Sequence, residues 1–210
     1  LLGAQGHDFI ADKFPRIHFS HSCKINGGRG SSDTGDWDMT ELERGRCFFV
    51  GDRELPAYRI KTIHQRLGEI IGELVQQGIL DFFAGSEPGF EMLAAEAVIR
   101  YRMHYPDSGV RLFFIPPEGK ALDGRPQAEL HKIIALRQTA NRVLDPQLYP
   151  GLSTLESRRR WMADHSAACV TYFSHLQDCN SEIIQYARRG GLRVIHLAKA
   201  VPEPNNRDKA

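Results

Sequence analysis

The sequence predicts a Rossmann-like α/β fold, in which a doubly wound, mostly parallel sheet carries helices on both faces. Short apolar runs that suit strands alternate with longer segments of helical period along most of the chain. The apolar runs hold few polar residues, which is typical of parallel strands buried on both faces. The composition, with 41% hydrophobic and 25% charged residues among 210, allows a full core in a domain of ordinary size.

The alternation begins at residue 46. Five strands are predicted, over 46–50, 79–84, 110–115, 168–173 and 192–197. Five helices are predicted, over 58–78, 90–105, 126–141, 153–166 and 180–191. The first helix shows the pattern best, because its apolar residues recur at the spacing of one helix face: Ile60, Ile63, Leu67, Ile70, Ile71, Leu74 and Val75.

The chain divides into three parts by composition. Residues 1–45 form an N-terminal extension that we expect to be loop or disordered, because 26–38 is rich in Gly, Ser and Asp and has no apolar period. Residues 46–198 form the α/β domain, and 199–210 a loose tail. The spacing His18-x-x-His21-x-Cys23 allows a metal, but no second pair of ligands follows, so a solvated tail is favoured and no metal site is predicted.

Charge and cysteine content restrict the partners. A formal net charge of +1 disfavours non-specific nucleic-acid binding. The four cysteines form no CxxC pair, and Cys47 and Cys169 fall inside predicted strands, so free thiols in a reducing compartment are expected. No apolar run approaches the roughly 18 residues that span a bilayer. We therefore expect a cytoplasmic protein with no membrane partner.

The segment FFAGSEPGFEMLAAEAVIRYR, residues 82–102, is the most informative for function. In an open parallel sheet, ligands bind at the carboxyl ends of the strands. Here Gly85 and Gly89 allow a sharp turn and a close backbone approach, Ser86 offers a hydroxyl, and the following helix begins with amides that favour an anion. Glu91, in the first turn, suits ribose hydroxyls. The alternative is a tight turn followed by a helix cap.

Arginines supply the other candidate contacts. Arg53 follows the first strand closely enough to clamp a phosphate, although an exposed loop arginine fits the sequence as well. Arg158, Arg159 and Arg160 point about 100° apart on a helix, so at most one or two can face one site. There is no GxGxxG and no Walker A motif, and Asp164, His165 and Ser166 are consecutive and cannot form a triad. No cofactor is predicted.

These residues resemble a known family. CFFVGDRELP, FFAGSEPGFEMLAAEAV, YPDSGVRLFFIPP, RRRWMADHSAACVTYF and YARRGGLRVIHL occur in the order of the YpsA-like branch of the SLOG superfamily, which includes DprA/Smf and the Lonely Guy phosphoribohydrolases. The resemblance covers about 46–198. It implies a Rossmann-like sheet with a pocket for a nucleotide or a nucleotide-derived molecule.

The chain departs from the family pattern at several positions. Gly-His-Arg after the first strand is here Gly51-Asp52-Arg53, and Gly-Gly-Ala-x-Gly-x-Asp is here the segment Gly85 to Glu91, in which Glu87 adds a negative charge. The Gly-Gly-x-Gly-Thr-x-x-Glu motif of the phosphoribohydrolases is replaced at 177–182. Their Arg-Lys pair matches Arg158-Arg159.

Three functions follow as expectations. The first is a binding or sensing module for a nucleotide-derived ligand, held by Gly51, Arg53, Gly85, Ser86, Gly89, Glu91, Arg160 and Ser181. The second is an N-glycosidic hydrolase that uses Glu91 or Glu182. The third is a DprA-like binder of single-stranded DNA, which the near-neutral charge disfavours. The sequence leaves open whether there is catalysis, and exposed helix faces allow a homo-oligomer.

Overall fold

A computed structural model describes residues 45–174 and 181–197, and it shows the Rossmann-like α/β fold that the sequence predicts. Six parallel strands form one sheet in the order β4-β3-β2-β1-β5-β6. The strands are β1 (Arg46–Gly51), β2 (Asp81–Ala84), β3 (Arg111–Phe114), β4 (Arg142–Val143), β5 (Ala168–Tyr172) and β6 (Arg193–His196). The helices are α1 (Ile60–Gln76), α2 (Phe90–His104), α3 (Gln127–Thr139), α4 (Leu155–Asp164) and α5 (Glu182–Arg189).

Several expectations fall on parts of the chain that the structure leaves undescribed. These are residues 1–44 of the N-terminal extension, with the spacing of His18, His21 and Cys23, and the tail over 199–210. Most of the replaced motif at 177–182 also lies outside the described residues. Those expectations stay predictions.

The central strand, β1, is a run of buried residues. All six of its residues are buried, and it pairs in parallel with β2 on one side and β5 on the other. This is the environment that an uninterrupted apolar run predicts. The sequence missed β4, a two-residue strand that pairs with the end of β3, because Arg142 and Val143 are too short a segment to show a period.

Alternate strand residues face opposite helix layers. Phe49 and Phe82 stack at 5.9 Å between ring centroids within the core that α1 and α2 cover, whereas Phe83 points the other way and contacts Trp161 of α4 at 5.3 Å. Right-handed crossovers explain the division. The connections from β1 outward to β4 place α1, α2 and α3 on one face, and the return to β5 places α4 and α5 on the other.

Burial of an apolar face holds α1 on the sheet. Six of the seven apolar residues that predict this helix are buried, whereas Ile60, at its first turn, is 42% exposed. The six are Ile63, Leu67, Ile70, Ile71, Leu74 and Val75. Fully burying each such side chain contributes about 1.5–3 kcal/mol, so this stripe is a large part of the core.

Among the described helices, none has the length and apolar character needed to cross a bilayer.

The order in which strands are added reverses at β1, because β2, β3 and β4 lie on one side of it and β5 and β6 on the other. Asp52 bridges the crevice between the ends of β1 and β5. Its backbone amide donates to the Tyr172 carbonyl at 2.9 Å, and its carbonyl accepts from the Phe90 amide at 2.9 Å. Its carboxylate oxygen Oδ2 accepts from the backbone amide and hydroxyl of Ser174 at 2.6 and 2.7 Å. Asp52 therefore ties the ends of β1 and β5 to the start of α2.

Gly89 permits the start of α2 to pack against this crevice. Its φ is +77°, and a Cβ there would lie 2.3 Å from the Arg53 carbonyl oxygen and 2.4 Å from that of Asp52. Gly124 has a similar φ of +75° but open space around it, so it separates the cost of the backbone angle from that of the clash.

We predict that Gly89→Ala lowers the free energy of unfolding by roughly 3 kcal/mol or more, because strain and overlap with two carbonyls act together. Gly124→Ala should cost only about 1–2 kcal/mol. Urea denaturation of both variants measures the difference. Equal losses would show that the close approach at Gly89 does not matter for stability.

Candidate functional site

The loop between β2 and α2 is held by a buried carboxylate and two arginines. Glu87 is 4% exposed, and its oxygens lie 3.3 Å from Arg125 Nη2 and 3.4 Å from Arg53 Nε. Arg125 also donates to the Ser86 carbonyl at 3.0 Å. The negative charge that Glu87 brings to the loop is therefore balanced within the protein.

A second buried carboxylate, Glu91, joins the two helix layers. Glu91 lies in the first turn of α2 on one face of the sheet, and Arg159 lies on α4 of the other face. Arg159 donates from Nε and Nη2 to the same oxygen, Glu91 Oε1, at 3.1 and 2.7 Å. The Glu91 side chain is 1% exposed and that of Arg159 is 21% exposed, so the pair is largely removed from water.

Burial shifts the pKa of Glu91. Removal from water disfavours the charged carboxylate and raises the pKa of Glu91, and the nearby Glu87 raises it further, whereas Arg159 acts in the opposite direction. The second carboxylate oxygen, Oε2, accepts no hydrogen bond of good geometry from a described residue, although the Glu87 backbone also acts to lower the pKa of Glu91. Arg159 therefore stabilises only one half of this buried group.

Gly85 and Gly89 are surrounded by protein atoms. A Cβ at Gly85 would lie 2.3 Å from Glu91 Oε2, and one at Gly89 would overlap the backbone of residues 52 and 53. Gly51 is also enclosed, because a Cβ there would lie 2.4 Å from the Tyr172 carbonyl oxygen. The close approach that the glycines permit is thus made by the chain itself, and their contact with a ligand stays a prediction.

The three consecutive arginines of α4 diverge, as the helical spacing predicts. Arg158 is 4% exposed and donates to the carbonyls of Leu152 and Ser153 at 3.3 Å. Burial lowers the pKa of Arg158, and the nearby carboxylates of Glu87 and Glu91 oppose that effect.

Arg159 and Arg160 line a common cavity of about 580 Å³ between α4 and α5. Arg160 lies over the Tyr186 ring at 5.7 Å and contacts Glu156 at 2.7 Å. Arg189, Ser181 and Glu182 contribute from α5 and its N-terminus. The cavity thus contains three arginines and two glutamates at its walls.

The structure divides the predicted ligand residues into two groups. Arg160 and Ser181 line the cavity, together with the catalytic candidate Glu182. Six others form or support the loops at the ends of β1 and β2: Gly51, Arg53, Gly85, Ser86, Gly89 and Glu91. Of these six, Ser86 and Glu91 are almost fully buried and Arg53 is largely exposed. The pair Glu91–Arg159 connects the two groups.

Two arginines near these groups, Arg125 and Arg189, were not among the predicted residues. Arg125 follows Asp123-Gly124 in a loop, where nothing in the sequence pairs it with Glu87 some forty residues earlier. Arg189 is the last residue of α5. It lies one helix turn after Gln185, and its Nη2 donates a hydrogen bond to the Gln185 side-chain oxygen at 3.3 Å. Two signals pointed to Arg159: its place among three consecutive arginines of a predicted helix, and the family resemblance, which matched Arg158-Arg159.

Another cavity, of about 650 Å³, lies between the C-terminal part of α2 and α3, away from these loops. Within 45–174 and 181–197, no group of three or more His, Cys, Asp or Glu side chains is arranged to hold a metal ion.

A scan against protein-family models and a search of curated proteins gave no match to the chain.

We predict that the stabilisation of the wild type relative to Glu91→Gln falls as the pH rises from about 4.3, the usual carboxyl value, and levels off above the raised pKa of Glu91. A raised pKa means that the folded state binds more protons than the unfolded state in this range, so folding weakens as the pH rises. Urea denaturation of both proteins between pH 4.5 and 8 measures the difference. A difference that grows with pH would show that Arg159 outweighs burial.

Proposed function

We propose that this chain is a binding or sensing module for a nucleotide-derived anion, which occupies the cavity between α4 and α5. The observation that carries the proposal is the convergence of Arg159, Arg160 and Arg189 on one cavity. A volume of about 580 Å³ lies in the range of ordinary small-molecule pockets. Arginine suits a phosphate because its planar donors match the geometry of the oxygens.

The ion pair between Arg160 and Glu156 leaves that arginine available to a ligand. Their side chains are 54% and 66% exposed, and exposed pairs of this kind contribute about 0–1 kcal/mol. A phosphate can therefore replace Glu156 at little cost. Arg159, in contrast, keeps its buried partner Glu91 and also lines the cavity.

The N-terminus of α5 adds donors to the same cavity. Ser181 is the N-cap residue, and its hydroxyl is buried without a hydrogen-bond partner among the described residues. The first amides of a helix lack intrahelical acceptors, and the helix dipole favours an anion beside them. Ser181 thus supports the same ligand charge as the arginines.

An aromatic ring supports a ligand that carries a base. Tyr186 lines the cavity, is 37% exposed, and donates its hydroxyl to Asp164 at 2.6 Å, which fixes the ring. Stacking on an exposed aromatic ring is a sequence-tolerant way to bind a nucleobase. The resemblance to the YpsA-like branch of the SLOG superfamily favours the same class of ligand, and the free buried thiols of Cys47 and Cys169 favour a cytoplasmic setting.

A second candidate function is hydrolysis of an N-glycosidic bond. Glu182 lines the same cavity as Arg159, and a carboxylate there can take a proton from the water that attacks the anomeric carbon while the base departs. Glu91, the other carboxylate that the sequence suggests, is fully buried and does not line the cavity. Release of free base from a bound nucleotide, lost in Glu182→Gln, would support this function over binding alone.

A thermal-shift screen of the full chain against nucleoside mono- and diphosphates, ADP-ribose, NAD and cyclic dinucleotides tests the proposal. A ligand at 100 times its Kd adds about 2.7 kcal/mol, which raises Tm by roughly 5–10 °C for a domain of this size. The double variant R160Q/R189Q should lose most of this shift, because it removes two of the three cations.

The control is Arg137→Gln on α3, which removes an exposed arginine that pairs with Asp145 at 3.1 Å outside the cavity. It should keep the full shift. No shift with any ligand, or an equal shift in the double variant and the wild type, would contradict binding in this cavity.

A further inference from the structure

We propose that Glu91 is a positioning residue that holds the Arg159 guanidinium at the wall of the cavity, and that residue 85 is glycine because the Glu91 carboxylate needs the space beside it. The inference rests on the proposed anion site. It assigns Glu91 and Gly85 a role that acts through Arg159, without contact to the ligand.

The geometry of the pair supports positioning. Arg159 uses Nε and Nη2 for one oxygen, Glu91 Oε1, and makes no hydrogen bond from Nη1 to another described residue. One edge of the guanidinium is thus fixed by a carboxylate that is 1% exposed, while the residue as a whole lines the cavity. A long, flexible side chain held along one edge loses less conformational entropy when a ligand binds the rest of it.

Gly85 completes the arrangement on the other side of the carboxylate. The Oε2 atom of Glu91 accepts no hydrogen bond of good geometry from a described residue and lies where a Cβ at Gly85 would come within 2.3 Å. That distance is too short for any side chain, and the carboxylate is buried, so it cannot move into solvent. Because the close atom is the end of a flexible side chain and not backbone, we expect a residue larger than glycine at position 85 to shift the Glu91 carboxylate relative to Arg159.

An opposite role for Glu91 makes the proposal testable. If Glu91 merely competed with a ligand anion for Arg159, its removal or displacement would strengthen anion binding, because a negative charge would leave the site. Positioning gives the reverse result. The sign of the change in affinity therefore separates the two roles.

The experiment measures sulfate-dependent thermal stabilisation of the full chain, with sodium chloride at equal ionic strength as the reference. Sulfate keeps its charge between pH 5 and 8, so its own titration does not contribute. We expect Glu91→Gln and Gly85→Ala each to weaken sulfate binding roughly tenfold, by loss of one charge-assisted contact that orders the arginine. The double variant should be no worse than either single variant, because both act through one group.

A pH profile adds a readout that a purely structural role would not change. The groups that face Glu91 are Glu87 in the same loop, Arg158 and Arg159 on α4, and the thiol of Cys169 on β5. Sulfate binding by the wild type should weaken as the pH falls and Glu91 takes up a proton. In Glu91→Gln this component of the profile should disappear.

The control for Gly85→Ala is Gly119→Ala, at a glycine with no atom within 4 Å of a Cβ. It should bind sulfate as the wild type does. Unchanged or tighter sulfate binding in Glu91→Gln would overturn the positioning role and leave the proposed function intact. No sulfate stabilisation of the wild type would overturn the anion site and the positioning role together. If Gly85→Ala fails to fold, Glu91→Gln and its pH profile still decide.

Discussion

The ion pair between Glu91 and Arg159 is the contact on which the arrangement at the carboxyl edge of the sheet depends. It joins α2, on one face, to α4, on the other, between residues 68 positions apart in the chain. Its cost is high, since one oxygen of the carboxylate accepts no hydrogen bond of good geometry from a described residue. Removal of either member of such a buried pair costs about 3–5 kcal/mol, because the other charge is left behind. The position of Arg159 at the cavity and the position of Glu91 after the β2 loop therefore both depend on this one ion pair.

The loops after β1 and β2 are bound largely to each other. Asp52 connects the ends of β1 and β5 with α2, and Glu87 connects its loop with Arg53 and Arg125. These contacts use polar groups and close approaches that a ligand would otherwise use. The exposed cations then lie one step outward, around the cavity between α4 and α5. Arg159 is the residue that lines this cavity and also pairs with Glu91 at the start of α2.

The alternation of apolar runs and helical periods predicted five of the six strands and all five α-helices in the described part of the chain, because burial on both sheet faces leaves a direct pattern in the sequence. It missed β4, whose two residues are held by pairing with β3 and not by an apolar period. Of the predicted ligand and catalytic residues, Arg160, Ser181 and Glu182 line one cavity, whereas Glu91 is buried and does not line it. The sequence shows which polar residues follow each strand, but it does not show which of them become buried in the folded protein.

The sequence by itself determined the fold class and the divergence of Arg158, Arg159 and Arg160, since both follow from local periodicity. Only the tertiary structure decided which charges meet. Glu91 with Arg159, and Glu87 with Arg125, are pairs separated by 68 and 38 residues, and no local pattern relates them. The same holds for Gly85, whose missing Cβ has a reason only once a side chain from the next helix is folded against it.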